Sequence, residues 1–473
     1  MTFGEWTERL DGKLRVGVNF DLSTRSLSLG GRRARMYFVD GFTRADILEK
    51  MMEYFTGLSP ETVAGVNDAH EFSARFVPYN EVDCLTDPDA AARRVLSGGT
   101  ALVVDGLDRV LIIECRTGPV RAVQEPEYDR VMRGARDGFV ETLTFNTALI
   151  RRRLRDPALT FEVIPVGTIT QTDVCLCYMN DRVDMSYLKK LRQLLRNITI
   201  PALTMGQESL AECLMRGQWY NPFPRVRYSE RPDAAAACIA EGQVVVLVDN
   251  SPAAMLLPTS IFSFSQDAND FYFPPLVGSY LRLVRGLIFT ATLFLTPIWY
   301  WLMQNPDKIP LWLDFTRIKE PNAIPLIVQL IAVELLIDTL KLASLNTPTS
   351  LSNALSLVGA LVFGEFAVEA GLFVPELLAY TAFVAIASFT QPSHELTYAF
   401  KLFRLFLLIL TWAFSGWGLL AGMALMLVVL VTTHTVAGGH YLYPLIPFNI
   451  KALMRLIYRQ PINRENTAAP KRR

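Results

Sequence analysis

The sequence predicts an α/β soluble domain of two related subdomains followed by an all-α polytopic membrane domain. Three observations predict it: an 18-residue stretch that recurs at an offset of 144, a series of long apolar segments that begins near residue 281, and a division of charge between the two parts. Over 473 residues the 46 basic and 46 acidic side chains cancel, yet residues 281–473 hold 15 basic against 10 acidic, which leaves 31 against 36 for residues 1–280. An acidic soluble part is thus joined to a basic apolar part. The first 280 residues carry no strongly basic stripe, so nucleic acid is not an expected partner.

The repeat pairs PDAAARRVLSGGTALVVD (88–105) with PDAAAACIAEGQVVVLVD (232–249). Each copy reads as an Ala-rich helix, a Gly, a β-rich run and an Asp-Gly or Asp-Asn turn into a second strand, RVLIIEC or AAMLLP. Upstream, 34–55 and 173–195 both run strand, polar loop, amphipathic helix at a similar offset. The expected boundaries are a first α/β subdomain over 1–125, a helical linker over 126–160 and a second α/β subdomain over 161–280. In the linker, Phe139, Leu143, Ile150 and Leu154 fit one helical face, and Arg151, Arg152, Arg153 and Arg155 form a basic cluster. Arg151, Arg152 and Arg153, with Arg133 and Arg136 upstream, are candidates for a gating or assembly interface. The plainer reading makes the cluster a solvated face that pairs with the acidic subdomains.

Residues 281–440 read as a transmembrane domain of about six spans. The segments 287–303, 324–340 and 355–374 are each about long enough for a hydrocarbon core of ~30 Å. Segment 376–390 is a short span or a re-entrant piece. The 32 apolar residues of 402–433 exceed one ordinary span, and Ser415, Gly416, Trp417 and Gly418 supply a turn near the middle. Six crossings place Arg282, Arg285, Lys341, Lys401, Arg404 and the basic tail 441–473 on one side, which the positive-inside rule makes cytoplasmic. The outer loop 304–322 then has mixed charge, and its IPLWLDF stretch can lie in the membrane interface.

Acid within these spans is the informative feature. A carboxylate at mid-bilayer costs ~2.5–3.5 kcal/mol on insertion scales, so each needs a reason to be there. Glu334 and Asp338 sit at i, i+4 with Lys341 one turn on, a spacing that suits either an ion path or a self-neutralising cluster. Glu365 and Glu369 share the third span with no cation. At 100° per residue they lie opposite a stripe of small residues, Ala360, Gly364, Ala367 and Gly371, that suits close helix packing. The four carboxylates are the candidate ion path, and protonated glutamates bonded to neighbouring helices are the alternative for the second pair.

Little points to catalysis. All six cysteines fall in the soluble part, no signal peptide precedes it, and thiols in a reducing cytosol are expected. Cys175 and Cys177 share a face of an apolar strand with no second Cys/His pair at ligand spacing, so neither a metal nor another cofactor is expected. HExxH, GxSxG, Walker and GxGxxG patterns are missing, and the chain is read as no enzyme.

RGARDGFVETLTFNTALIRRRL (133–154), EGQVVVLVDNSPAAMLLP (241–258), FGEFAVEAGL (363–372) and IASFTQPSHEL (386–396) resemble the A-subunit family of GerA-type spore germinant receptors, across nearly the whole chain. Ala135 and Asp137 stand where many members have Pro and Glu. Glu365 stands where others often carry Gln, so only Glu369 carries over cleanly. LNTPTSLSNAL (345–355), LFVPE (372–376) and YLYPLIPFNIKAL (441–453) lean toward one branch of the family. The resemblance implies a protein of the endospore inner membrane with a cytoplasmic N-terminal domain. It implies a homo-oligomer, a pentamer, that forms an ion channel opened in germination. For this branch it implies a small membrane-protein partner, other germination proteins as partners, and amplification of the response to other receptors.

Two other readings stand beside the channel. One is the signal-transmitting A subunit of a nutrient receptor, and neighbouring genes for an amino-acid-sensing partner would favour it. The other is a secondary transporter, against which the spans show no evident inverted repeat.

Overall fold

The computed structural model describes residues 1–115, 129–131, 133–215, 220–267, 269–320, 322–346, 359 and 366–458. Chain order in the first subdomain is α1 (Phe3–Leu14), β1 (Leu22–Leu29), β2 (Arg32–Val39), α2 (Ala45–Thr56), α3 (Pro60–Val63), α4 (Ala69–Phe76), β3 (Val82–Leu85), α5 (Pro88–Leu96), β4 (Thr100–Val104) and β5 (Val110–Ile113). Local chemistry starts and stops these helices. Thr2 and Glu5 form a reciprocal capping box on α1, and Trp6, Leu10 and Leu14 are buried at intervals of four. Asp87 caps α5 through the amides of Asp89 and Ala90, with Pro88 at its first position.

The second subdomain runs α6 (Leu143–Arg153), β6 (Leu159–Val166), β7 (Thr172–Met179), α7 (Met185–Arg196), α8 (Gln207–Leu214), β8 (Arg227–Ser229), α9 (Pro232–Ala240), β9 (Val244–Val248) and β10 (Ala254–Leu257). The two sheets have the same order, β1-β2-β4-β5-β3 and β6-β7-β9-β10-β8, with every pairing antiparallel. Register repeats as well: Leu102 faces Leu111 as Val246 faces Met255, and Met36 faces Leu102 as Leu176 faces Val246. Even the turn residue matches, since Gly106 and Asn250 both take positive φ, 89° and 63°.

Central strands β4 and β9 are buried along their whole length because helices cover both faces of each sheet. In the first subdomain α2 and α4 pack on one face and α1 and α5 on the other. In the second, α7 and α8 cover one face, and α6 and α9 the other. Helix α6 therefore does what α1 does. The helix expected to link the copies belongs to the second sheet, and it is shorter than the sequence pattern indicated. Phe139 lies upstream of the helix, its amide bonded to the carbonyl of Glu230, and Leu154 follows the last turn.

The remainder is helical: α10 (Asn269–Tyr272), α11 (Pro275–Gln304), α12 (Leu326–Asn346), α13 (Ala367–Glu369), α14 (Pro375–Ser388), α15 (His394–Thr432) and α16 (Ile450–Ile457). Helix α15 is broken at Ser415, where φ is 52° and ψ −135°. A Cβ on Gly418 would run into the carbonyl oxygen of Leu410, and Gly422 abuts Leu407. The two arms therefore run antiparallel, with the turn within the SGWG sequence. Helices α11 and α15 are long and apolar enough to cross a membrane, and α14 is a shorter apolar helix.

The bundle is built into the second subdomain. Val436, in the segment after α15, is 3% exposed within the core formed by α7 and α8. Asn221 donates to the Thr433 hydroxyl at 2.6 Å, Tyr441 donates to the carbonyl of Pro224 at 2.7 Å, and Phe223 stacks on Phe403 with ring centroids 5.0 Å apart. Arg285 grips the fully buried Asp270 at 2.8 Å, and Arg282 donates to the Arg455 carbonyl at the end of α16.

Candidate functional site in the helical bundle

Glu334 sits in the middle of α12 and is 3% exposed. Arg404 on the first arm of α15 reaches it with a two-bond fork, Nε to Oε1 at 2.9 Å and Nη2 to Oε2 at 3.0 Å, and spends Nη1 on the carbonyl of Thr292 at 2.7 Å. Lys401, one turn earlier, bonds the Glu334 carbonyl at 3.0 Å and its carboxylate at 3.2 Å, and also pairs with Asp338. A fork of this geometry offsets the desolvation that a lone buried charge would suffer. Spacing along α12 assigned the neutralising role to Lys341. In the structure Lys341 points instead toward Ser388, 3.4 Å from its hydroxyl, with its ammonium 4.9 Å from the ring centre of Phe389. The signal missed was Lys401 and Arg404 at i, i+3, which face α12 from a helix some 65 residues away.

Glu369 occupies a different place. It is exposed, closes the short α13 and pairs with no cation among the described residues. Gly371, at φ +68°, ends the helix where a side chain would be strained. The chain then turns back: the Leu372 amide bonds the Ala367 carbonyl, the Gly371 carbonyl accepts from Asn322, and the Val374 amide donates to Gln329. Glu369 therefore lies at a helix end, beside the residue 304–322 connection, and not midway along a straight span. Ala367 is buried, while Gly371 serves the turn. Glu365, Ala360 and Gly364 lie outside the described residues.

The arginine cluster divides. Arg151 is fully buried, forked onto Asp21 at 2.8 and 3.1 Å, bonded to the carbonyls of Asp156 and Leu159, and stacked 4.8 Å from the centre of the Phe161 ring. Such a side chain offers no surface to another molecule; it ties the first subdomain to the second. Arg153 pairs with Asp137 at 2.6 Å. Arg133, Arg136 and Arg152 are exposed. Cys175 and Cys177 lie buried on one face of β7 with sulfurs 3.9 Å apart, and burial raises the Cys175 thiol well above its ordinary range. No group of three or more His, Cys, Asp or Glu suited to a metal occurs among the described residues.

Two five-stranded α/β subdomains of one topology, joined to an apolar helical bundle with charges held inside it, define the class of the molecule. A model of the Bacillus/Clostridium GerA spore germination protein family matches residues 9–470, and the chain belongs to that family. It is 35% identical over 458 residues to stage V sporulation protein AF of Bacillus subtilis (strain 168), covering 96% of this chain and 91% of that one. It is 26% identical to spore germination protein KA of the same organism, covering 95% and 83%. Among solved structures, the N-terminal domain of the A subunit of the Bacillus megaterium spore germinant receptor GerK3 is similar at 21% identity and a TM-score of 0.41, over 53% of this chain and 92% of that one. The higher identity to stage V sporulation protein AF agrees with the branch that LNTPTSLSNAL and YLYPLIPFNIKAL point to.

Proposed function

We propose that this spore germination protein is a membrane channel subunit, which assembles with copies of itself, as a pentamer, to release ions across the spore inner membrane and amplify the germination response. The observation that carries the reading is Glu369: a carboxylate exposed on an apolar bundle, flanked by Phe366 and Leu372 at 58% and 47% exposure, with no cation beside it among the described residues. Lipid cannot solvate it, so water or a neighbouring copy must. Repeated around an axis, Glu369 forms an acidic ring that concentrates cations. With the Lys- and Arg-rich ends cytoplasmic, six crossings put the Glu369 ring at the outer mouth of the pore, because its helix ends beside the residue 304–322 connection. Exposed Leu311, Trp312 and Phe315 in that connection suit the membrane interface. Glu334 and Asp338, neutralised by Arg404 and Lys401, hold the bundle together beside the path.

The α/β subdomains lie in the cytoplasm on this reading, and Arg133, Arg136 and Arg152 are the exposed cations left for contacts between subunits. The resemblance to the stage V sporulation branch supports a small membrane-protein partner and other germination proteins as further partners. The test is ion flux through the oligomer in liposomes at matched protein level. Glu369→Gln should reduce cation flux or alter selectivity while leaving assembly intact; unchanged flux and selectivity would move the pore to another helix.

A further inference from the structure

Among α11, α12, α14 and the first arm of α15 lies a cavity of about 20 Å³, lined by Thr292, Glu334, Lys341, Ser388, Gln391 and Lys401 among others. That is room for one occupant not much larger than water. Its carboxylates are already paired, and two carbonyls beside them are engaged. The Glu334 carboxylate takes Arg404 and Lys401, Asp338 takes Lys401, and the Thr292 and Glu334 carbonyls take Arg404 and Lys401. The Ser388 hydroxyl donates to Ala385, and that of Thr381 to Leu377.

Two donors remain. Gln391 is 7% exposed, and its Nε2 has no acceptor among the described residues. Among the described residues, the close contacts of the Lys341 ammonium are the Ser388 hydroxyl at 3.4 Å and the Phe389 ring, and no carboxylate forms a salt bridge with it. Charge is in the same imbalance. Helix α12 brings Glu334, Asp338 and Lys341 to the cavity and its edge, α15 brings Lys401 and Arg404, and the described lining residues of α11 and α14 bring no charge. Among the described residues, three cations face two carboxylates within an apolar bundle, and a spare amide donor faces the same space. An acceptor bearing negative charge satisfies both.

We infer that this cavity binds a small anion of halide size, held by the Lys341 ammonium and the Gln391 amide. The site is independent of the ion path through Glu369 and stands or falls separately from it. The experiment is thermal unfolding of the full-length protein in detergent, followed by tryptophan fluorescence, in sodium chloride or bromide against sodium gluconate at equal ionic strength. A saturable rise of a few degrees is expected in the halides and not in gluconate, as for any ligand of the folded state. Gln391→Leu and Lys341→Met should lose that increment while keeping the gluconate midpoint. Equal midpoints in halide and gluconate, or an undiminished increment in both variants, would overturn the assignment. Should the variants fail to fold, anomalous scattering from bromide-soaked wild-type crystals decides it: a peak between Lys341 and Gln391 supports the site, and its absence there at saturating bromide refutes it.

Discussion

Arg151 and Asp21 stand 130 residues apart in sequence and close a two-bond ion pair, Nε to Oδ2 at 2.8 Å and Nη2 to Oδ1 at 3.1 Å, with both side chains shut off from solvent. Around it the Phe20 amide bonds the Phe161 carbonyl, and the Phe161 amide bonds the side chain of Asn19. The ion pair thus sits in a polar seam between the first subdomain and the edge strand of the second sheet, with little freedom for a hinge.

Removing one partner strands the other without solvent. Asp21→Leu or Arg151→Met alone should cost about 3–5 kcal/mol, whereas the double replacement Asp21→Leu with Arg151→Met should recover much of the loss. Unfolding midpoints of the two single variants and the pair form a cycle that checks this. Small and additive effects would show that the seam does not depend on the pair.

In the bundle, Glu334→Gln and Glu369→Gln should differ sharply in stability. The first leaves Arg404 and Lys401 buried with one carboxylate fewer and should cost about 3–5 kcal/mol. The second touches an exposed group and should stay within about 0.5 kcal/mol. Thermal unfolding in detergent distinguishes them, and equal losses would contradict a structural role for Glu334 and a solvent-facing one for Glu369.

The α15 turn yields opposite expectations for two neighbouring residues. Gly418→Ala drives a methyl into the Leu410 carbonyl and should destabilise by about 1–3 kcal/mol. Ser415→Gly relieves a backbone conformation that L residues rarely hold and should gain about 1 kcal/mol. Unfolding midpoints again decide, and a neutral Gly418→Ala would mean the arms do not pack as observed.

Topology is tested by single cysteines at Asp314 and Pro470 with a membrane-impermeant maleimide. Only the Asp314 position should label from outside. Native thiols should contribute little background, since all six lie before residue 280, in the part that this topology keeps inside, and Cys115, Cys175 and Cys177 are buried as well. Labelling of both positions, or of neither, would exclude six crossings.

The duplicated sheets were legible because copying preserved local chemistry: Pro at the start of α5 and α9, Gly after each, and a positive-φ residue in each hairpin, all at one offset. The SGWG turn was legible for a similar reason, since too long an apolar run demands a break. Arg151 was not. RRRLR reads as a solvated face until the fold brings in Asp21, and no helical spacing announces a partner so far off. Lys401 and Arg404 were missed as partners of Glu334 because Lys341 lay nearer in sequence. Glu369 looked central to a span because hydropathy does not register the turn that Gly371 makes.

The seat of Val436 blurs the boundary that the sequence draws at residue 280. A chain cut there keeps every strand of the second sheet and loses a side chain from the core beneath it, along with Tyr441 and the carbonyl that anchors Ile261. Order of synthesis and order of cooperation therefore differ: the second sheet is complete in secondary structure long before it is complete in packing. The segment that follows the final apolar arm finishes it, so packing of the second sheet and placement of the last helical hairpin are coupled through Val436 and Tyr441.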